Sequence, residues 1–212
     1  MFRSGLMKSW LKKFAVAAAL GCAVIMPSQA DAASIVVPDT IYEWVQSSSR
    51  MNYFFNKQEI KYGTDMLGRI DLHVLKVPVI KTYDAVQIED VLEKRKWNHE
   101  DVDGYGDLAG EAGYLTIDLT KKSVTVDQVD LIDSHMWTLD STKPAETMDI
   151  TKMAPKNKET IFYNAILDYE AKHRFEIAAQ TKGELKESDA KMLEKERKAM
   201  EKAERQKYKD KK

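Results

Sequence analysis

The chain has 212 residues, with 33 basic and 34 acidic side chains and one cysteine. This balance of charge argues against a general nucleic-acid-binding protein, and one cysteine cannot form an internal disulfide. The length allows one domain with a substantial hydrophobic core and some additional structure.

The N-terminus has the pattern of a secretory signal peptide. Residues Met1–Lys13 carry basic charge, Phe14–Met26 form an uncharged apolar run, and Ala30-Asp31-Ala32 places small residues where a signal peptidase cuts. We predict a signal peptide over residues 1–32 and export to the periplasm, cell surface or extracellular space. The alternatives are a retained anchor, for which the apolar run is short, and a lipid on Cys22.

Cleavage after Ala32 would leave 29 basic and 33 acidic residues, a net charge of −4, and no cysteine. The composition changes again after Gly183, because residues 184–212 carry eleven basic and eight acidic side chains. We predict a domain over residues 33–183 and a charged helical tail over residues 184–212. The tail is either a solvated helix or a basic segment that rests on an anionic wall or membrane.

Two strand-like segments open the mature chain, at residues 40–46 and 51–57. The aromatic side chains of Trp44, Phe54 and Phe55 are expected to anchor the core, although such a cluster can also line a ligand groove.

A longer strand is predicted over residues 69–80, with Pro78 at a strand end or edge because proline has no N–H to donate. A helix is predicted next, over residues 84–96, with Asp84 as its N-cap. We expect this helix to lie outside the sheet or at one end of it.

Residues 112–132 alternate between apolar and polar side chains, which predicts a β-hairpin with a polar connection at 120–123 and a phase slip near Gln128. A short strand at 136–140 and a polar loop at 141–156 follow. A helix over residues 157–175 carries an apolar stripe that should cover the hairpin, formed by Ile161, Phe162, Ala165, Ile166 and Tyr169. The predicted fold class is α+β: an antiparallel sheet of about five strands packed by this helix.

The segment Asp101–Ala112 resembles an EF-hand or dockerin-type calcium loop, since hard cations need several oxygen ligands from one short loop. Its candidate metal ligands are Asp101, Asp103, Asp107 and Glu111. Tyr105 occupies a position that normally holds a ligand, and Glu111 lies one residue before the closing position. The alternative is therefore an acidic solvent-exposed loop, and calcium is the one cofactor that the pattern suggests.

Other catalytic patterns are absent from the sequence. No two histidines are three or four residues apart, no serine has a nucleophile-elbow context, and no glycine-rich phosphate loop is present. No catalytic residue is assigned. The remaining enzymatic hypothesis is a secreted hydrolase that uses carboxylates of residues 101–111.

Several segments in order resemble the surface-adhesin protein E family of small secreted bacterial domains. They are Trp44 with YFFNKQEI, a strand ending LKV, the hairpin YLTIDLTKKSVTVDQV, then MWTLDS and APKNKETIFYNAILDY. The resemblance covers Thr40–Lys172 and implies an α+β fold with an adhesive function. Members often carry a cysteine pair that joins hairpin and final helix, which this chain lacks, and Asp84–Gly110 is an added segment. No binding residue of the family transfers to this chain.

These observations predict an exported, non-catalytic protein that binds a protein or an envelope surface. A hydrolase and a calcium-stabilised module are the alternatives.

Overall fold

The computed structural model describes residues 35–209, without the side chains of residues 204 and 207–209. The predicted signal peptide, its cleavage point and Cys22 lie outside the described residues. None of the described helices has the length and apolar character needed to cross a bilayer.

Nine strands and three α-helices occur between residues 35 and 209. The strands are β1 Tyr42–Ser47, β2 Met51–Asn56, β3 Lys61–Thr64, β4 Arg69–Tyr83, β5 Leu108–Asp118, β6 Ser123–Asp133, β7 Thr138–Thr142, β8 Glu146–Asp149 and β9 Glu184–Leu185. The helices are α1 Ala85–Trp97, α2 Lys158–Gln180 and α3 Glu187–Lys209, with short 3-10 helices at Tyr105–Asp107 and Ile150–Lys152.

All nine strands belong to one sheet with the order β1-β2-β4-β5-β6-β7. Strands β3 and β9 also pair with β4, and β8 pairs with β6; every pairing is antiparallel except β4 with β9. The predicted α+β class is confirmed. The sheet is larger than predicted, partly because the expected polar loop at 141–156 contains β8.

The predicted hairpin is formed by β5 and β6. Its register shifts where Asp127 is an extra residue on β6, which explains the phase slip in the sequence. Ile117 and Val124 lie directly opposite each other and are fully buried, in the same core cluster as Phe162 and Ile166 of α2. Helix α2 therefore covers the hairpin as predicted.

The aromatic residues of β1 and β2 follow the prediction only in part. Tyr53 and Phe55 are buried, and the ring of Phe55 meets Tyr169 of α2 at 5.0 Å between centroids. Trp44, expected in the core, is 58% exposed on the edge strand β1. The prediction for Trp44 was wrong because alternate residues of a strand point to opposite faces of the sheet. The sequence does not show which of the two faces α2 covers.

The apolar stripe of α2 also differs from the predicted one. Its buried positions include Phe162, Tyr163, Ile166 and Glu170, whereas Ile161 is 43% exposed. Glu170 is buried on this face and accepts a hydrogen bond from the Tyr62 hydroxyl of β3 at 2.5 Å.

Pro78 lies in the middle of the 15-residue strand β4, not at its end. On one flank, β2 pairs with β4 from Val79 onward and β3 pairs with it as far as Lys76. Pro78 falls between these two partners, so that flank requires no ladder hydrogen bond from it.

Helix α1 begins after the predicted cap, since the Asp84 carboxylate accepts a hydrogen bond from the Gln87 N–H at 2.7 Å. None of its residues is buried. Polar contacts hold it instead, including an ion pair between Arg50 and Asp90. This arrangement leaves a groove between the helix and the sheet.

The expected boundary after Gly183 does not separate two structural units. Strand β9 pairs with β4, and Leu193 of α3 is 7% exposed within the main core. Gly183 has φ +136°, and a Cβ there would lie 2.8 Å from the Gly68 carbonyl oxygen, so it joins β9 tightly to the sheet. The tail is amphipathic enough to place one leucine in the core.

We expect Leu193→Ala to lower the free energy of unfolding by about 2 kcal/mol or more, because it removes a buried side chain. The matched control is Met200→Ala on the same helix, where the side chain is 49% exposed and the change should stay within about 0.5 kcal/mol. Denaturant unfolding measures both. Equal stabilities of the two variants would show that α3 does not dock.

Candidate functional site

A groove of about 600 Å³ lies between α1 and one end of the sheet, and we call it the α1 groove. Val129 and Leu131 provide apolar surface, Val91 and Arg95 line it from α1, and Glu111 and Asp140 add carboxylates. Three aliphatic side chains contribute apolar surface, and the other lining residues are polar or charged, so this is a mainly polar surface groove.

Strand register builds the floor of this groove. Lys81 lies opposite Glu111, Glu111 lies opposite Leu131, and Leu131 lies opposite Asp140, so the four form a row across β4, β5, β6 and β7. Directly opposed residues share one face of a sheet. Glu111, a candidate calcium ligand in the sequence, is thus a strand residue whose side chain belongs to this row.

Four polar residues form what we call the Lys81 cluster. The Lys81 ammonium lies 3.1 Å from a Glu111 oxygen and 3.0 Å from a Glu159 oxygen. The Tyr83 hydroxyl donates to the other Glu111 oxygen at 2.5 Å. The Lys81 side chain is only 17% exposed, so these contacts lie largely out of water and tie β4, β5 and α2 together.

Burial and charge determine the protonation states in this cluster. Burial alone would lower the pKa of Lys81, but the Glu111 and Glu159 carboxylates outweigh it and raise the pKa above its ordinary value. Burial, followed by the nearby Glu111 charge, raises the pKa of Tyr83 as well. At neutral pH Lys81 is an ammonium ion and Tyr83 is a neutral hydrogen-bond donor.

Arg95 connects α1 to the neighbouring loop and strand. Its guanidinium lies 2.6 Å from an Asp140 oxygen and 3.2 Å from a Glu100 oxygen, and its Nε donates to the Asp101 carbonyl at 3.0 Å. It also lies 4.3 Å from the centroid of the Tyr105 ring. The hydrogen bond from Arg95 lowers the pKa of Asp140.

The predicted metal ligands do not converge. An Asp101 oxygen accepts a hydrogen bond from the Asp103 N–H at 2.8 Å, Asp107 accepts from the Ser134 hydroxyl at 2.6 Å, and Glu111 belongs to the Lys81 cluster. Among residues 35–209, the group with metal-ligand spacing is Asp107, Asp133 and His135, which contains one predicted ligand.

This three-residue group also organises a turn. An Asp133 oxygen accepts hydrogen bonds from the N–H groups of His135 and Trp137, at 2.9 and 2.8 Å. Asp107 and His135 are 46% and 75% exposed. Its carboxylates are therefore largely committed to local loop structure.

Two exposed tryptophans lie at the same end of the molecule, which we call the α1 end and define as α1, the loop 98–107 and the turn 134–137. Trp97 is 85% exposed and Trp137 is 73% exposed. Ser134 ties the turn to the loop through the Asp107 carbonyl at 3.2 Å and the Asp107 carboxylate. The loop carries four acidic residues and no lysine or arginine.

Sequence reasoning did not identify Lys81, Tyr83 or Glu159 as functional candidates. One signal was available: Lys81 interrupts the apolar run that ends β4. Its meaning depended on partners far away in the sequence.

Comparisons of the chain with family models, with curated proteins and with solved structures gave no match. The fold and the groove define an α+β protein with a polar surface site, and its function is inferred from that geometry.

The raised pKa values of Lys81 and Tyr83 predict loss of stability at alkaline pH. Both groups would lose their protons near pH 10 in the unfolded chain but keep them longer in the fold. The contribution of these two groups to the free energy of unfolding is therefore complete below about pH 10. It is lost as the pH rises through their pKa values in the folded protein.

We expect Tyr83→Phe to lower the free energy of unfolding at pH 7 by about 1–3 kcal/mol, because Glu111 loses a donor. The variant should then lose less stability than the wild type above about pH 10, because one ionising group is gone. Tyr114→Phe, at an exposed tyrosine of β5, is the control. Denaturant unfolding measured across this pH range checks the prediction. If the free energies of unfolding of the wild type and Tyr83→Phe fell in parallel above about pH 10, the reasoning would be contradicted.

Proposed function

We propose that this protein is exported and non-catalytic, and that its α1 end binds a basic protein partner. The observation that carries the proposal is the pair of exposed tryptophans, Trp97 and Trp137, on segments that other contacts hold in place.

Exposed tryptophans at a fixed end are characteristic of a protein contact surface. Tryptophan is enriched among the residues that contribute most to binding free energy, because a partner removes a large apolar area from water. Here Arg95 holds α1 to the loop and to β7, and Ser134 holds the turn to the loop. The partner would therefore meet surfaces that need little ordering on binding.

Charge supports a basic partner. The loop 98–107 has four carboxylates and no lysine or arginine, and the adjoining groove is lined by four carboxylates against two basic side chains, Lys94 and Arg95, so both carry net negative charge. Complementary charge around an aromatic contact raises the rate of association and excludes acidic competitors.

The states of the polar groups favour binding over catalysis. Lys81 is held as an ammonium ion, and Tyr83 is held as a neutral donor, so neither is poised to accept a proton at neutral pH. Two of the carboxylates in the segment proposed for a hydrolase are engaged by other side chains: Asp107 by Ser134 and Glu111 by Lys81. The resemblance to surface-adhesin protein E points in the same direction.

The test measures retention of purified protein on isolated bacterial envelopes. We expect the double variant Trp97→Ala with Trp137→Ala to lose about tenfold or more in affinity, which corresponds to roughly 1.4 kcal/mol. Trp44→Ala is the matched control, because Trp44 is an exposed tryptophan on β1, at the opposite edge of the sheet. It should bind like the wild type.

Two further arms identify the partner class. Protease treatment of the envelopes should abolish retention of the wild-type protein, and increasing salt should weaken it. Retention that survives protease treatment would mean a glycan or lipid partner and would contradict the proposal. Equal losses for the double variant and Trp44→Ala would contradict the assignment of the α1 end.

Export has a separate test. The intact mass of the chain recovered outside the cytoplasm should correspond to a protein that begins at Ala33. A chain that still begins at Met1, or one with a lipid on Cys22, would refute this part of the proposal.

A further inference from the structure

A second groove, of about 440 Å³, lies at β3 and shares no lining residue with the α1 groove. Residues 58–64, Lys76 on β4 and residues 180–182 after α2 line it. We call it the β3 groove.

Most neutral polar side chains of this groove are already used to hold its walls. The Gln180 amide donates to the Ile60 carbonyl, and the Gln58 amide donates to the Thr40 carbonyl at 3.1 Å. The Thr181 hydroxyl accepts from the Tyr62 N–H at 3.1 Å and donates to the Ile177 carbonyl at 2.7 Å. The bonds of Gln180 and Thr181 connect β3 and the residue before it to the end of α2, and they give the groove a defined shape.

The lysines of the groove are not used in this way. Lys61, Lys76 and Lys182 line it, and within residues 35–209 none of them has an ion-pair or hydrogen-bond partner for its ammonium. Glu59 is the one acidic residue among the lining residues, so their formal charge is +2.

The strand register makes this arrangement unfavourable without a counter-ion. Lys61 and Lys76 are directly opposite each other in the antiparallel pair of β3 and β4. Directly opposed like charges destabilise a sheet, and an opposite charge at that position would stabilise it. The domain as a whole is acidic, with a net charge of −7 over residues 33–183, so this basic groove is a local exception.

We propose that the β3 groove binds a phosphomonoester, with Lys61, Lys76 and Lys182 around the phosphate. The ammonium groups of lysine are established phosphate ligands, and a dianion would match the formal charge of +2. A monocarboxylate would leave charge uncompensated. The volume is within the range of small-molecule sites, which is enough for a phosphorylated sugar or a lipid headgroup.

The first experiment titrates inorganic phosphate into the full mature chain at neutral pH and low ionic strength, using calorimetry. We expect Lys61→Gln, Lys76→Gln and Lys182→Gln together to weaken binding by about tenfold or more. The control triple variant, Lys143→Gln with Lys156→Gln and Lys202→Gln, removes the same charge from exposed positions elsewhere and should bind within about twofold of the wild type. No binding to the wild type, or equal weakening in both triple variants, would overturn the proposal.

A second experiment tests the repulsion directly and does not depend on the ligand. Without phosphate, Lys76→Gln should raise the melting temperature at low salt, and high salt should remove this gain. Phosphate should raise the melting temperature of the wild type more than that of Lys76→Gln. A Lys76→Gln variant that melts below the wild type at low salt would overturn the argument from register.

Vesicles distinguish the two sources of the phosphate. Retention on phosphatidate vesicles that requires the three lysines would support a lipid headgroup. Binding of phosphate without vesicle retention would support a soluble phosphomonoester. If the control triple variant and the groove triple variant lose vesicle retention equally, the proposal of a specific site in the β3 groove is overturned.

Discussion

Strand β4 is the element on which the other parts of the structure depend. It pairs with β2, β3, β5 and β9, so it connects the edge of the sheet, the hairpin and the segment that leads to α3. Its side chains alternate between the two faces. Lys81 therefore lies on the face that α2 covers, whereas Lys76, between the buried residues Leu75 and Val77, points to the opposite face. One strand thus supplies Lys81 to the cluster beside the α1 groove and Lys76 to the β3 groove.

The two lysines are compensated in different ways. Lys81 is largely buried, and a buried charge is tolerated only with good partners, which Glu111 and Glu159 provide. Glu159 lies in the first turn of α2, where a negative charge is also favoured by the helix dipole. Lys76 is exposed and faces another lysine across the ladder. The first arrangement stabilises the fold, and in the second two like charges oppose each other without an acidic partner.

Charge is therefore separated within a protein whose overall balance is nearly neutral. The α1 end combines acidic residues with exposed tryptophans, while the β3 groove is basic and lined by committed amides and hydroxyls. Helix α1 gains no buried side chain from its position, and polar contacts from Arg50 and Arg95 hold it. Because α1 contributes no side chain to the core, its exposed surface is available for binding.

Local patterns in the sequence were enough to predict the α+β class, the β5–β6 hairpin with its irregularity near Gln128, and the Asp84 cap. These features depend on residues close together in the chain, where strand alternation and capping act directly. Distant partners decided three other features, which the local pattern does not contain. They are the side of β1 on which Trp44 lies, the position of Pro78 within β4 and the packing of Leu193 into the core.

The candidate sites were decided almost wholly by tertiary structure. Tyr83 and Glu111 are 28 residues apart, and Lys81 and Glu159 are 78 apart, so no spacing rule could join them. The opposition of Lys61 and Lys76 likewise depends on the register of β3 against β4. Local sequence determined where charged and aromatic residues occur, and the sheet register decided which of them meet, because pairing between strands is a long-range choice made by the packed core.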